Sequence, residues 1–416
     1  MTRKIETLII GGGCIGTCSA YFLAKKGKHV TLVEQGRIGE GCSYGNAGVI
    51  ALHHIIPLAA PGVMMQGLKW MSNPESPFYI KPRFDLKLFG WLWKFALACR
   101  EAPTHKAMPV MRSLTQASMD LYDELAANDG AAFHFKHKGS IMLFKNPAKY
   151  QSACEEFRHV KQYGVESKPL DLAGVRELEP NAGPRIAGGI YFPQDGHLNP
   201  SEFVKQLAQR AEQQGATIST STEVLGFETR DGRISNVQTT RGDFEPEQVV
   251  LAAGSWSVGL ASQLQLDLPI QPAKGYSITM KTADRDNAMP LLLSESKVIV
   301  TPMGGILRFA GTLELAGMDF SITQRRVRAV QRAVGEYLTG MDKFELQEIW
   351  RGLRPASADG LPIISRSQRW TNLVIATGHG MQGIALGPLT GKLVAQLICG
   401  ETPSVDMAAL NASRFN

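Results

Sequence analysis

IETLIIGGGCIGTCSAYFLAKKGKHVTLVEQG, residues 5–36, carries three glycines in the order Gly11-x-Gly13-x-x-Gly16. An apolar run at 7–10 precedes them, Ile15, Ala20, Phe22 and Leu23 follow at helical spacing, and a second strand-like run spans 29–34. The segment reads as a β-α-β unit with its glycines at the strand-to-helix turn. In that setting Gly11 permits the tight turn, Gly13 lets the backbone approach a pyrophosphate, and Gly16 allows close packing of helix on strand. The helix start adds unsatisfied N–H groups and a positive dipole end for the anion. Glu34 closes the second strand 18 residues after Gly16, near the spacing of the acidic residue that takes a ribose hydroxyl. The stretch predicts a dinucleotide cradle.

Beyond Glu34 the regular strand-helix alternation of an NAD domain does not continue. The chain runs through RIGEGCSYGNAGVI and then reads mostly helical to residue 128. Strand-like GSIMLF at 139–144, a helix at 201–214 and a meander turning at Asp231-Gly232 and Gly242-Asp243 come next. A β-rich block around IQPAKGYSITM and RFAGTLEL follows, with a charged helix in ITQRRVRAVQRAVGEYL. Near the end, NLVIATGHGMQGIALGPLTG sets Gly378, Gly380 and Gly383 between a strand and a helix, more than 350 residues from the first cradle. Two backbone-lined turns so far apart in sequence imply one long ligand, an extended FAD with its isoalloxazine ring distant from its adenosine.

Composition narrows the class. The 416 residues are 44% hydrophobic and 20% charged, enough for a large core in two or three domains, or two interleaved ones. A net charge of +6 spread without a basic block argues against a nucleic-acid partner. The six cysteines form no C-x-x-C and no Cys/His cluster, so a reduced, cytoplasmic protein without a metal site is expected. Cys14 and Cys18 read as small packing residues on the first helix. The N-terminus lacks the apolar region of a signal peptide, and no run of 18 apolar residues exists. LKLFGWLWKFALACR at 86–100 is amphipathic, read first as a helix on the core, with contact to a membrane surface as the alternative.

The two glycine stretches, together with GCSYGNAGVI, PGVMMQGLKWM, VVLAAGSWS, PAKGYSITM, RFAGTLEL and WRGLRPASADGLPIIS, lie in order over nearly the whole chain. In these the sequence resembles the FAD-dependent D-amino acid oxidase superfamily, and within it the bacterial D-amino acid dehydrogenase branch, including hydroxy-D-proline dehydrogenase-like members. The resemblance implies an α/β fold (α+β overall), with a Rossmann-like FAD-binding domain at 1–85, 195–265 and 350–416. Interleaved with it is a β-rich substrate domain of the D-amino acid/glycine oxidase type at 86–194 and 266–349. The implied reaction is oxidative deamination, with hydride passing from substrate Cα to flavin N5 and the imino acid then hydrolysing. Electrons pass to a quinone-type acceptor; an oxygen-using amine, glycine or sarcosine oxidase and a subunit of a larger dehydrogenase complex are the alternatives. A non-catalytic nucleotide-binding relative is the reading outside enzymes.

By position in the family motifs, non-covalent FAD is expected on Gly11, Gly13, Cys14, Ile15, Gly16, Glu34 and Gln35, on Ser43, Asn46, Ala47 and Gly48, and on Val224, Ala253, Gly254 and Trp256. The second turn adds Gly378, His379, Gly380, Met381 and Gly383. A substrate carboxylate calls for the planar fork of an arginine, for which Arg354 of GLRP is the first candidate and Arg308 of RFAGT the second. A structural pairing of Arg354 with Asp359 is its competing role. Tyr276 is expected in the pocket, Lys274 in solvent, and one of the adjacent His53 and His54 on the substrate side. Met303 stands where the glycine-oxidase cousins carry a carboxylate-binding arginine.

Overall fold

The computed structural model describes residues 2–415 apart from 72, 74, 130–132, 283–287, 342 and 343. The first β-α-β unit is realised as strand Arg3–Ile10, helix Cys14–Lys25 and strand Val30–Val33. Five parallel strands stand in the spatial order Thr217–Ser219, Val30–Val33, Arg3–Ile10, Phe244–Leu251, Leu373–Thr377. Antiparallel Ile363–Arg366 closes one edge, and the hairpin Val224–Arg230/Arg233–Thr239 joins Phe244–Leu251. Sequence order runs outward in opposite directions on either side of Arg3–Ile10, and such a switch point opens a crevice at the strands' carboxyl ends. Leu8, Ile9 and Ile10, like Leu373 to Ala376, are buried without alternation, the pattern of parallel strands covered on both faces.

Helix Cys14–Lys25 packs against Gly387–Cys399 and Pro200–Gln213. The first of these crossings is close: a Cβ on Gly391 would lie 2.5 Å from the Cys18 carbonyl carbon, and one on Gly387 would strike the Cys14 sulfur. Cys14 and Cys18 fill this crossing, their sulfurs 3.9 Å apart, and burial raises the Cys18 thiol well above its ordinary range. All six cysteines are free.

The second sheet has nine strands. Next to one edge, Ile270–Lys281 pairs antiparallel with the edge strand Glu345–Ser357 on one side and with Ile306–Leu315 on the other. Val298–Pro302, Leu291–Leu293, Ser140–Phe144, Gly188–Phe192 and Lys168–Leu170 extend it, and Phe78–Ile80 adds to Ile306–Leu315. Helix Gln324–Tyr337 covers one face with Val327, Val330, Val334 and Tyr337. The expected border at residue 350 falls inside Glu345–Ser357, and Phe78–Ile80 joins this sheet although it precedes the expected border at 86.

Helix Leu86–Ala98 turns Leu88, Trp91 and Phe95 inward, where the Trp91 indole N–H donates to the Ala356 carbonyl at 3.0 Å. Its other face exposes Leu86, Phe89, Trp93 and Leu97. Among the described residues no helix is long and apolar enough to cross a membrane.

Candidate functional site

A cavity of about 1140 Å³ lies between the two sheets and receives both glycine turns. At the first turn Gly11 has φ +111°, and a Cβ there would lie 2.6 Å from the Ala252 carbonyl oxygen. A Cβ on Gly16 would collide with the Gly11 carbonyl oxygen. Both positions demand glycine. Gly13 is different: its φ of −75° suits any residue, and an added Cβ would meet only Ser43 Oγ at 3.4 Å. Gly13 therefore keeps space above the helix start clear, without being needed for the turn itself. Ser43 Oγ accepts the Cys14 N–H at 2.9 Å. The Glu34 carboxylate accepts from Gly12 and Gly36 N–H at 2.7 and 2.8 Å, one per oxygen, which leaves lone pairs for a further donor.

Gly11, Gly13, Cys14, Ile15, Glu34 and Gln35 line the cavity, as do Ser43, Asn46 and Ala47 of the next loop, and Val224, Ala253, Gly254 and Trp256. From the second turn His379, Gly380, Met381 and Gly383 reach it. Gly16, Gly48 and Gly378 shape the turns from behind; Gly48 and Gly378 have φ of +70° and +77°.

The four expected catalytic side chains part company. Arg354 lines the cavity, its guanidinium lying over Gly275, where any Cβ would collide with it. One Nη1 proton goes to the Thr312 carbonyl at 2.8 Å. No carboxylate among the described residues pairs with it, because Asp359 is held by Arg414, at 2.7 and 3.1 Å. Burial pulls the Arg354 pKa down from its ordinary value, yet guanidinium stays charged at any physiological pH. A cation so placed calls for an anion in the cavity.

Arg308 is buried and does not line the cavity. It donates to the Tyr44 and Asn46 carbonyls at 2.7 and 3.2 Å, tying down the loop that carries Ser43 and Asn46. Tyr276 also lies away from the cavity. Gly275 occupies the cavity face, so strand alternation turns Tyr276 to the other face, where its hydroxyl accepts the Thr323 N–H at 3.2 Å. Lys274 is buried rather than solvated, 3.3 Å from both Glu314 and Asp319. Met303 is buried outside the cavity wall.

His53 and His54 both line the cavity. They occupy a turn rather than an extended strand, so their rings lie 6.3 Å apart and tilted by 31° instead of opposed. Burial drives the His54 pKa down to about 4 and that of His379 to about 3, so both are neutral at physiological pH. His379 Nε2 meets Thr390 Oγ1 at 2.9 Å, and its buried Nδ1 has no partner among the described residues. His197 is buried in the short strand Gly196–His197.

Sequence reasoning missed much of the far wall. Trp350 covers Gly352 and Gly45, each of which has no room for a Cβ beneath the ring; the W-x-G spacing was the available signal. Lys149, Ser152 and Glu156 reach the cavity from helix Pro147–Val160, and Lys297 from a hairpin turn at φ +53°. Asp195, which no local motif singles out, is wholly buried.

Known proteins agree with this architecture. A D-amino acid dehydrogenase of Granulibacter bethesdensis is 32% identical over 99% of this chain and 100% of its own length. One of Vibrio atlanticus is 29% identical with the same coverage. Glycine oxidase from Bacillus cereus superposes with TM-score 0.78 at 24% identity, covering 98% of this chain and 97% of that one. L-proline dehydrogenase from P. horikoshii superposes with TM-score 0.77 at 21% identity, covering 100% and 98%. The family described as FAD dependent oxidoreductase (DAO) matches residues 6–397, and the chain belongs to it.

Proposed function

We propose that this protein is a D-amino acid dehydrogenase that binds FAD non-covalently and oxidises the Cα–N bond of small neutral or cyclic D-amino acids, D-proline and cis-4-hydroxy-D-proline included. The observation that carries the reading is Arg354: a cavity-facing guanidinium without a carboxylate partner among the described residues. The D-amino acid dehydrogenases to which the chain is similar over its whole length support the reaction.

The residues present fit the cofactor. On this reading the first sheet and its helices hold FAD, with the pyrophosphate on the helix start kept open by Gly13 and the ribose on Glu34. The turn at His379 to Gly383 receives the ring end. The Cys42 thiol donates to the Leu353 carbonyl and is pushed up to about 12 by burial, which supports non-covalent binding by leaving it a poor nucleophile. Bound FAD supplies the two-electron acceptor that no side chain provides.

The protein's own part is orientation. Arg354 fixes the substrate carboxylate, and the second sheet, with Gly275, Ala310 and Thr312 on its cavity face, sets the depth at which Cα rests. Neutral His54 and His379 add polarity without charge. Trp350, Phe157 and Ile299 keep the walls apolar and exclude water. Arg308 acts at one remove, by holding the Tyr44–Asn46 backbone against the second sheet.

Electron transfer to a lipid-soluble, quinone-type acceptor at the inner face of the cell membrane is supported by the surface beside the cavity. Helix Val63–Met71 places Val63, Gln66 and Trp70 on the cavity and exposes Met64, Met65, Leu68 and Met71. Phe84, Leu86, Phe89 and Trp93 are exposed as well, and Lys69, Lys81, Lys87 and Lys94 lie along the same stretch of sequence, the composition of a surface that rests on anionic lipid.

Purified protein mixed anaerobically with a panel of D- and L-amino acids should lose its flavin absorbance with small neutral or cyclic D-amino acids. Reduction by L-enantiomers alone would overturn the assignment, and peroxide formed at the rate of substrate loss in a parallel aerobic assay would make it an oxidase. Anionic phospholipid vesicles should carry the protein in flotation, and Leu68→Glu with Trp93→Glu should leave it in the soluble fraction; flotation of the double variant would remove the apolar face from the account. Gly13→Ala should lower FAD affinity by at least about tenfold with little change in apoprotein stability. Equal FAD affinity in that variant would place the pyrophosphate elsewhere.

A further inference from the structure

The Asp195 carboxylate is wholly buried between the two halves of the molecule and accepts four donors. Leu52 N–H reaches Oδ1 at 2.8 Å and His53 N–H reaches it at 3.4 Å. The Ser140 hydroxyl and His53 Nδ1 each lie 2.6 Å from Oδ2. His53 is clamped further by Phe192, stacked at 3.9 Å and 13°, and by the edge of Phe157 at 6.1 Å. A carboxylate oxygen facing Nδ1 favours the tautomer with its N–H there, which leaves the ring's lone pair on Nε2. His53 lines the cavity, and its side-chain hydrogen bond is made by Nδ1, so Nε2 is the ring nitrogen left for a ligand.

We infer that Asp195 is a positioning residue which holds His53 so that Nε2 accepts the proton of the bound substrate's ammonium group. The inference rests on the amino acid reading above. An amino acid in neutral water is an ammonium ion, and its nitrogen has no lone pair to release until one N–H bond breaks. In the inferred step that proton passes to Nε2 and the bonding pair stays on the substrate nitrogen. The ring becomes imidazolium beside Asp195, which balances the new charge. No oxidant takes part.

The charged and titratable groups around the ring do not offer the same service. His54 is neutral and 6.3 Å away ring to ring. Arg112 faces Asp195 from the long helix Glu101–Asp129 and has no basic atom to offer. Lys297 interacts with Lys149, Glu156 and Glu295 on the wall formed by helix Pro147–Val160 and the 294–297 turn. Burial lowers the Lys297 pKa, while Glu295 is held by Tyr337.

Anaerobic flavin reduction by one D-amino acid, followed from pH 6 to pH 10, tests the inference. The unaltered protein should reduce at a rate that varies little from pH 7 to 9. His53→Gln, having no proton acceptor, should depend on free amine and gain about tenfold in rate per pH unit up to the amine's own pKa. Asp195→Asn should behave alike, because an amide N–H facing Nδ1 forces the other tautomer. In His53→Gln, binding of benzoate, a carboxylate without an amine, should stay within about twofold by flavin difference spectroscopy; with Asp195→Asn too unstable to purify, His53→Gln decides alone. A pH profile unchanged in His53→Gln overturns the inference. So does a loss of benzoate binding equal to the loss of rate, which would mark the pair as structural. A native protein that no amino acid reduces would instead defeat the functional reading on which the inference stands.

Discussion

Three backbone segments, distant in sequence, must come almost into contact before the cavity exists. The Gly11 turn lies so near Ala252 that a Cβ would sit 2.6 Å from that residue's carbonyl oxygen, and the helix after it leaves no room for one on Gly16. The Leu373–Thr377 strand lies beside Phe244–Leu251 and delivers the second glycine turn to the same side of the sheet. Parallel order fixes all the carboxyl ends at one edge, so one crevice receives every loop. Glycine at these contacts is a steric requirement, and the helix crossing at Gly387 and Gly391 extends it into the core.

The second sheet closes the crevice and supplies its charge. Arg354 belongs to a strand that registers with Ile270–Lys281, Ala273 opposite Arg354 and Gly275 opposite Gly352. Those two glycines leave the space that the guanidinium and the Trp350 ring occupy. Asp359 is already engaged by Arg414, so the arginine faces the cavity with its charge uncompensated there. Leaving a buried cation unpaired costs several kcal/mol, and an anionic ligand recovers that cost on binding. Arg308, a second buried guanidinium only strands away, shows the alternative: its protons are spent on backbone carbonyls, and it fastens a loop.

Much of this was legible in the sequence because it rests on local rules. Glycine spacing between an apolar run and a helical period located both strand-to-helix turns, and the first helix, strand and turn agree with it to within a residue or a few. Side-chain direction was less legible. Tyr276 and Arg308 sit on the expected strands, but which face each takes depends on register and on a shift in pairing between Lys274 and Tyr276. Lys274 looks like a solvent lysine until Glu314 and Asp319 are brought to it from 40 and 45 residues further along the chain. Asp195, inside a Gln-Asp-Gly turn signal, has nothing local to mark it as buried. Its four donors come from residues 52, 53 and 140, and only the packing of one half on the other assembles them.

Substrate binding, on the proposed function, depends on Arg354 as the anchor for a carboxylate. Titrating the FAD-loaded protein with benzoate, read as the flavin difference spectrum, tests it without requiring turnover. Arg354→Met should raise the benzoate Kd by at least about tenfold, the scale of a lost hydrogen bond to a charged group, with FAD content preserved. An unchanged Kd in that variant would contradict the account.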